Sequence, residues 1–155
     1  MDPSGEVTNP PTPATDDEAT ERVRVVWRGD FVNQEVNVLH AVAFGTRVYG
    51  DDEWDWLSLT RRHSLGWVTA RSGADLVGFA NVLWDGLVHA WIQDVMVSPS
   101  YRRRGIGTAV VHAARDGAAA AGCEWLHVDF EPELSPFYIE RCGFEPAQAG
   151  TMRLD

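Results

Sequence analysis

The chain has 155 residues, 45% of them hydrophobic and 23% charged, with a formal net charge of −10. That is enough chain for one domain with an ordinary core, and no apolar run approaches the roughly 20 residues of a membrane span. The acidic balance excludes a general attraction to nucleic acid, and two cysteines, Cys123 and Cys142, exclude a disulfide framework and read as small buried residues.

Residues 1–21 hold six of the 23 acids, four of the eight prolines and no base. They lack the large apolar side chains that would offset the entropy of ordering, so a disordered acidic tail is expected there, ahead of a domain over 22–155. Without the tail, 17 acids stand against 13 bases. The same stretch has no basic start and no apolar run of a signal peptide, so a cytoplasmic protein is expected. Val23, Val25 and Trp27 alternate with polar residues and predict a first strand. Asp30 is positioned to cap a helix to about Phe44, with Val32, Val36, Leu39, Val42 and Ala43 at helical spacing. A second helix is expected over 51–63, with Trp54, Leu57 and Leu59 apolar and acids at its start.

Strands follow at 66–71, 76–84 and 88–97, joined by Ser72-Gly73-Ala74-Asp75 and Asp85-Gly86-Leu87. The Ser-Gly and Asp-Gly pairs mark tight turns, so these strands form an antiparallel meander. Alternation along the third puts His89, Trp91, Gln93 and Val95 on one face and Ala90, Ile92, Asp94 and Met96 on the other. Pro99 ends it. The alanine-rich segment 105–121 reads as a closely packed helix stopped by Gly122, and 124–130 as a strand. A short helix over 134–141 stops at Gly143, and 144–154 form a terminal hairpin across Ala149-Gly150. The element order predicts a mixed α/β layer architecture.

The strongest local signal lies between the third meander strand and the long helix: Ser98, Pro99, Arg102, Arg103, Arg104, Gly105, Ile106, Gly107 and Thr108. Glycines one residue apart let the backbone approach an anion, and the unpaired amides of the first helical turn point at it. Three arginines add fixed charge with a geometry suited to phosphate oxygens. A dinucleotide fingerprint would want Gly or Ala where Val110 stands, and no GxxxxGK[ST] loop is present.

Arg102 to Gly107 match the Q/R-x-x-G-x-G/A signature of the GNAT acyl-CoA N-acyltransferases. The run Phe137-Tyr138-Ile139-Glu140-Arg141-Cys142-Gly143-Phe144 resembles their second signature, an aromatic pair followed by Gly-Phe. The resemblance covers residues 22–154. It implies a central mixed, mostly antiparallel sheet flanked by helices and splayed between its fourth and fifth strands. It also implies an acyl-CoA-dependent N-acetyltransferase that moves the acetyl group of acetyl-CoA, or another acyl-CoA, to a primary amine in a ternary complex. Val95, Met96 and Val97 then lend backbone groups to the pantetheine arm, Arg102, Arg103, Arg104, Gly105, Ile106, Gly107 and Thr108 surround the pyrophosphate, and Tyr138 protonates the leaving thiolate.

Relatives often carry a glutamate where this chain has Trp91 or Gln93, so the base falls to Asp94, His89, Asp129 or Glu131, with Asp94 as the first choice. Trp54, Trp56 and the acids between 51 and 55 are expected along the wall for a cationic acceptor. The implied partners are a small-molecule or peptide amine and a second copy in a homodimer, with no nucleic acid, membrane or metal. The five histidines (positions 40, 63, 89, 112 and 127) show no metal-ligand spacing. A catalytically silent acyl-CoA-binding module is the alternative from another class, raised by the missing strand carboxylate. An S-adenosylmethionine or dinucleotide enzyme rests on the two glycines alone.

Overall fold

Alternation along Val23–Trp27 forms β1, which pairs antiparallel with β2 (Ser64–Ser72). In the computed structural model, which describes residues 22–154, β2 continues antiparallel to β3 (Asp75–Trp84) and β3 to β4 (His89–Val97). Gly73 and Gly86, at φ 57° and 82°, close the two connections in the left-handed backbone region that glycine enters without steric cost. A fifth strand, β5 (Trp125–His127), runs parallel to β4, and the strand order is β1-β2-β3-β4-β5. The expected acidic tail lies outside the described residues.

Among the described residues, three helices cover the sheet. On one face α3 (Ile106–Ala120) presses Val110, Val111 and Ala114 onto Val68, Ala80, Val82, Ala90 and Ile92. On the other, α1 (Asn33–Phe44) and α2 (Trp56–His63) bring Val36, Leu39 and Trp56 onto Phe79 and Met96. Each such fully buried side chain contributes roughly 1.5–3 kcal/mol. Trp27 slots between the two backbones that carry Gly66 and Gly117. A Cβ on Gly66 would fall within 2.8 Å of three indole atoms, and one on Gly117 within 2.6 Å of three.

Both early helices begin later than the sequence suggests. Asp30 does not cap α1: the cap position is Val32, whose N–H donates to the Glu35 carboxylate at 3.0 Å, while Arg71 donates to the Asp30 carbonyl at 3.1 Å. For α2, residues 51–53 form a turn and Asp55 is the cap, accepting from the Ser58 N–H at 2.8 Å. Beyond α3 the segment expected to be strand over 124–130 pairs for only three residues. The expected helix at 134–141 is a 3-10 turn, Pro132–Leu134, followed by a π-helical turn, Pro136–Arg141. Residues 144–154 form no hairpin. Met152 and Leu154 are 85% and 87% exposed, so a ribbon there would bury too little to hold two strands together.

The alternation read along β4 also fails at one point. Phe79 pairs with Met96 and Asn81 with Gln93, so Asp94 and Val95 together stand opposite Ala80. This β-bulge sets Asp94 at φ 51° and turns the strand by one position. Val95 and Val97 therefore join Ala90 and Ile92 in the α3 layer, and Met96 crosses to the layer under α1 and α2.

Candidate active site

Past Val97 the chain turns through a 3-10 segment, Pro99–Tyr101, into the exposed run 102–105 and then α3. Arg103 and Gly105 both hold left-handed backbone, at φ 63° and 77°, and Gly105 is the N-cap of α3. For a residue other than glycine that conformation costs about 1–2 kcal/mol. The first hydrogen bond of the helix runs from the Ala109 N–H to the Gly105 carbonyl at 3.0 Å. The amides of Ile106, Gly107 and Thr108 precede it and leave the helix end with the partial positive charge that attracts anions.

The two glycines do different work. A Cβ at Gly105 would enter open space, whereas one at Gly107 would meet Phe137 at 3.1 Å and 3.2 Å and Val97 at 3.7 Å. Gly107 thus lets α3 pack against the aromatic pair of the π-helical turn, and only Gly105 shapes the loop. The arginines divide similarly. Arg102 donates to the Val97 carbonyl at 3.3 Å and the Ala43 carbonyl at 3.1 Å, stapling the loop to the end of α1. Arg104 lies over the Tyr101 ring at 5.1 Å, and Arg103 is exposed. Burial pushes the Cys142 thiol up, and the neighbouring Thr108 acts in the opposite direction. Cys142 is buried and Cys123 only half-buried.

β4 and β5 are paired at His89 with Trp125, Ala90 with Leu126 and Trp91 with His127, and no further. From there β4 continues to Val97 while 128–130 leave the ladder, which opens a gap between the two backbones. Tyr138 stands in the π-helical turn, stacked on Phe130 at 4.9 Å and edge-on to Phe137 at 4.8 Å. Burial, with a smaller effect of Cys142, pushes its phenol up to about 12, so the ring keeps its proton through the neutral range. Asp94 lies at the bulge. Burial raises its carboxyl above the ordinary carboxylate range, and the charge of the nearby His40 acts in the opposite direction.

His40 is buried among the rings of Phe44, Tyr49, Trp54 and Trp56. Asn81, across from Gln93, is also buried: its carbonyl oxygen accepts from the Ser64 hydroxyl, and its Nδ2 has no partner among the described residues. A buried donor without a partner costs about 1–3 kcal/mol. Sequence reasoning missed both residues. The apolar neighbours of His40 and the strand position of Asn81 gave no local sign of them.

The expected acceptor wall needs correction. Trp56 is fully buried and donates through Nε1 to Asn37 at 2.8 Å, so it belongs to the core. Three of the four acids are committed within the protein: Asp51 accepts from Asn33 at 2.7 Å, Glu53 pairs with Arg47, and Asp55 caps α2, while Asp52 is exposed. Trp54 alone of this group is half-buried beside His40 and Tyr49. Of the other base candidates, Asp129 and Glu131 are exposed beyond the end of β5, and His89 lies against His127 where the two strands still pair. Two cavities lie outside the gap. One of about 250 Å³ is lined by Arg24, Arg28, Thr69 and Arg71, and one of about 530 Å³ lies between α1 and the 3-10 turn.

Comparison with known proteins gives this geometry a context. The sequence model of the Acetyltransferase (GNAT) family matches residues 31–144. A GCN5-related N-acetyltransferase 1, chloroplastic, of Arabidopsis thaliana is 29% identical over 133 residues, 83% of this chain and 66% of that protein. A glucosamine 6-phosphate N-acetyltransferase of Trypanosoma brucei brucei is 39% identical over 64 residues, 41% of this chain and 42% of that protein. The chain thus spans less than two thirds of the length of these curated relatives. Among solved structures, the aminoglycoside N-acetyltransferase AAC(6')-Iy in complex with CoA superposes at a TM-score of 0.69 with 18% identity, covering 86% of this chain and 95% of the other.

Proposed function

Because the chain belongs to the Acetyltransferase (GNAT) family, we propose that it transfers the acetyl group of acetyl-CoA to a primary amine by direct attack in a ternary complex. The observation that carries this reading is the position of the loop: the α3 N-terminus, with Gly105 as its cap, opens immediately after the strand that parts from β5. In this reading the amides of Ile106, Gly107 and Thr108 hold the CoA diphosphate, with Arg103 and Arg104 as its free cations and Arg102 positioning the loop. The backbone of Val95, Met96 and Val97 lines the pantetheine, and a β4 N–H stabilises the developing oxyanion.

The thioester then reaches the face of the sheet opposite α3, where Asp94 removes a proton from the acceptor ammonium. Its raised carboxyl is better matched to that task than an ordinary aspartate, since a general base works best when its affinity for the proton lies near the working pH. Attack by the freed amine forms the C–N bond and the tetrahedral oxyanion. Collapse breaks the C–S bond, Tyr138 donates its phenolic proton to the departing sulfur, and the second proton of the former ammonium, lost from the nitrogen as the amide forms, returns to the phenolate. One proton is released overall. The acceptor is a small-molecule or peptide amine. Amino sugars are the first class to test, because the names of two similar proteins specify an aminoglycoside and glucosamine 6-phosphate.

Thiol release from acetyl-CoA across a panel of amino sugars, polyamines and peptide N-termini tests the proposal. Turnover with a saturating amine supports it. CoA binding by calorimetry without thiol release from any amine would instead establish a silent binding module.

A further inference from the structure

The face of β4 and β5 opposite α3 carries a ring stack that the mechanism above does not use. His89 and Trp91 on β4 and His127 on β5 lie on this face because their neighbours Ala90, Ile92 and Leu126 are in the α3 layer. Trp91 and His127 stack at 4.9 Å with an interplanar angle of 18°, and His89 stacks on His127 at 5.1 Å. His89 Nδ1 lies 2.8 Å from His127 Nε2. At that separation two N–H groups would collide and two lone pairs would repel, so the nitrogens share one proton. The outer nitrogens, His89 Nε2 and His127 Nδ1, have no hydrogen bond among the described residues. Among the described residues, no third His, Cys, Asp or Glu gathers on the pair as a metal ligand would.

A neutral pair joined in this way presents one donor at one end and one acceptor at the other, in either tautomer. It therefore has the form of a proton wire. His127 occupies the last paired position of β5, at the apex of the gap, and both rings are half-buried, with access to water. We infer that His89 and His127 form a two-imidazole relay that carries the acceptor's proton from the apex of the gap to solvent.

The relay rests on the acetyl-transfer reading and deepens it. A proton from the ammonium, passed on by Asp94 or by water, adds to His127 Nδ1. The proton on His127 Nε2 shifts to His89 Nδ1, and the proton on His89 Nε2 leaves to bulk water. Charge balances at every stage, and exchange of the half-exposed rings with water restores the first tautomer. The charged groups around the pair are Asp85, whose carboxylate accepts from the His89 amide at 3.2 Å, and Glu124 and Asp129, which flank it along the β5 segment. Trp91 closes one side of the stack and keeps the rings in register.

The test uses the full-length protein with acetyl-CoA and three amines in turn: glucosamine 6-phosphate, spermidine and an alanine-starting peptide. His127→Ala is expected to lower kcat by about 10²-fold, the scale of a lost proton-transfer group, with CoA affinity unchanged. Added imidazole restores a concentration-dependent part of that rate, which a merely structural role would not allow. Long-range nitrogen–proton NMR of the wild type reports one protonated and one bare nitrogen at the shared contact, and His89→Ala abolishes that pairing. A wild type that turns over while His127→Ala keeps its rate, or loses it without rescue, overturns the relay and leaves acetyl transfer standing. A wild type that releases no thiol with any of the three amines overturns both.

Discussion

Gly117→Ala puts the packing that orients α3 to a quantitative test. In a solvent-exposed helix this change would stabilise by about 1 kcal/mol, because alanine loses less backbone entropy than glycine. Here the new methyl would stand 2.4 Å, 2.5 Å and 2.6 Å from Cδ2, Cε2 and Cε3 of Trp27. Those distances are about an ångström short of van der Waals contact. The indole cannot retreat, since the Gly66 backbone holds it from the other side. Relief requires α3 to move away from the sheet, and overpacking of this kind costs about 1–3 kcal/mol or more. With contacts this short the clash falls in the upper part of that range, about 2–3 kcal/mol, and outweighs the helix propensity, with a net loss of about 1–2 kcal/mol and a Tm lowered by about 2–8 °C for a domain of this size. Differential scanning calorimetry measures it, with Trp27→Leu in the Gly117→Ala background expected to add less destabilisation than Trp27→Leu alone. A Tm that rises in Gly117→Ala would refute the reasoning, because propensity would then dominate and the slot would not be tight.

Asp94→Asn is expected to lower kcat by about 10²-fold or more and to remove the acidic limb of the kcat/KM profile. The same substitution should raise Tm at neutral pH. The folded state holds the Asp94 proton more tightly than the unfolded chain, so the wild type loses stability as pH rises from the ordinary aspartate range through the raised folded value, and the amide does not. Scans at pH 4 and pH 7 check this, with a gain that disappears at the lower pH. Tyr138→Phe should reduce kcat by about 10²- to 10⁴-fold while leaving CoA affinity and Tm nearly unchanged, and an unaltered kcat would remove the phenol from the mechanism.

The meander from β2 to β4 was legible because both of its turns are written in Ser-Gly and Asp-Gly pairs and its strands are rich in apolar and β-branched residues. The loop opening α3 was legible for a similar reason, since few other uses combine a strand end, Pro99, arginines and two glycines. What escaped depends on contacts between distant segments. The bulge at Asp94 places a non-glycine residue at positive φ, and the registry with β3 fixes it, not any residue of β4 itself. The second glycine keeps its amide in the proposed anion cradle, and its added packing role comes from the Phe137 ring, 30 residues further along the chain and invisible in a linear motif. Arg102 read as a phosphate ligand because its carbonyl partners, Ala43 and Val97, are invisible in a linear motif. The His89–His127 contact joins strands 38 residues apart and follows no spacing rule.

The account depends most on the grip of the α3 N-terminus on a diphosphate. Calorimetric titration of CoA and of pantetheine, which lacks the diphosphate, into the wild type and into an Arg103→Glu/Arg104→Glu variant tests it most directly. The expected result is CoA binding at least about 100-fold tighter than pantetheine in the wild type, with most of that preference lost in the variant, since charge-assisted contacts to phosphate are each worth about 1.5–3 kcal/mol. Equal affinities for CoA in the two proteins, or no preference of the wild type for CoA over pantetheine, would contradict it.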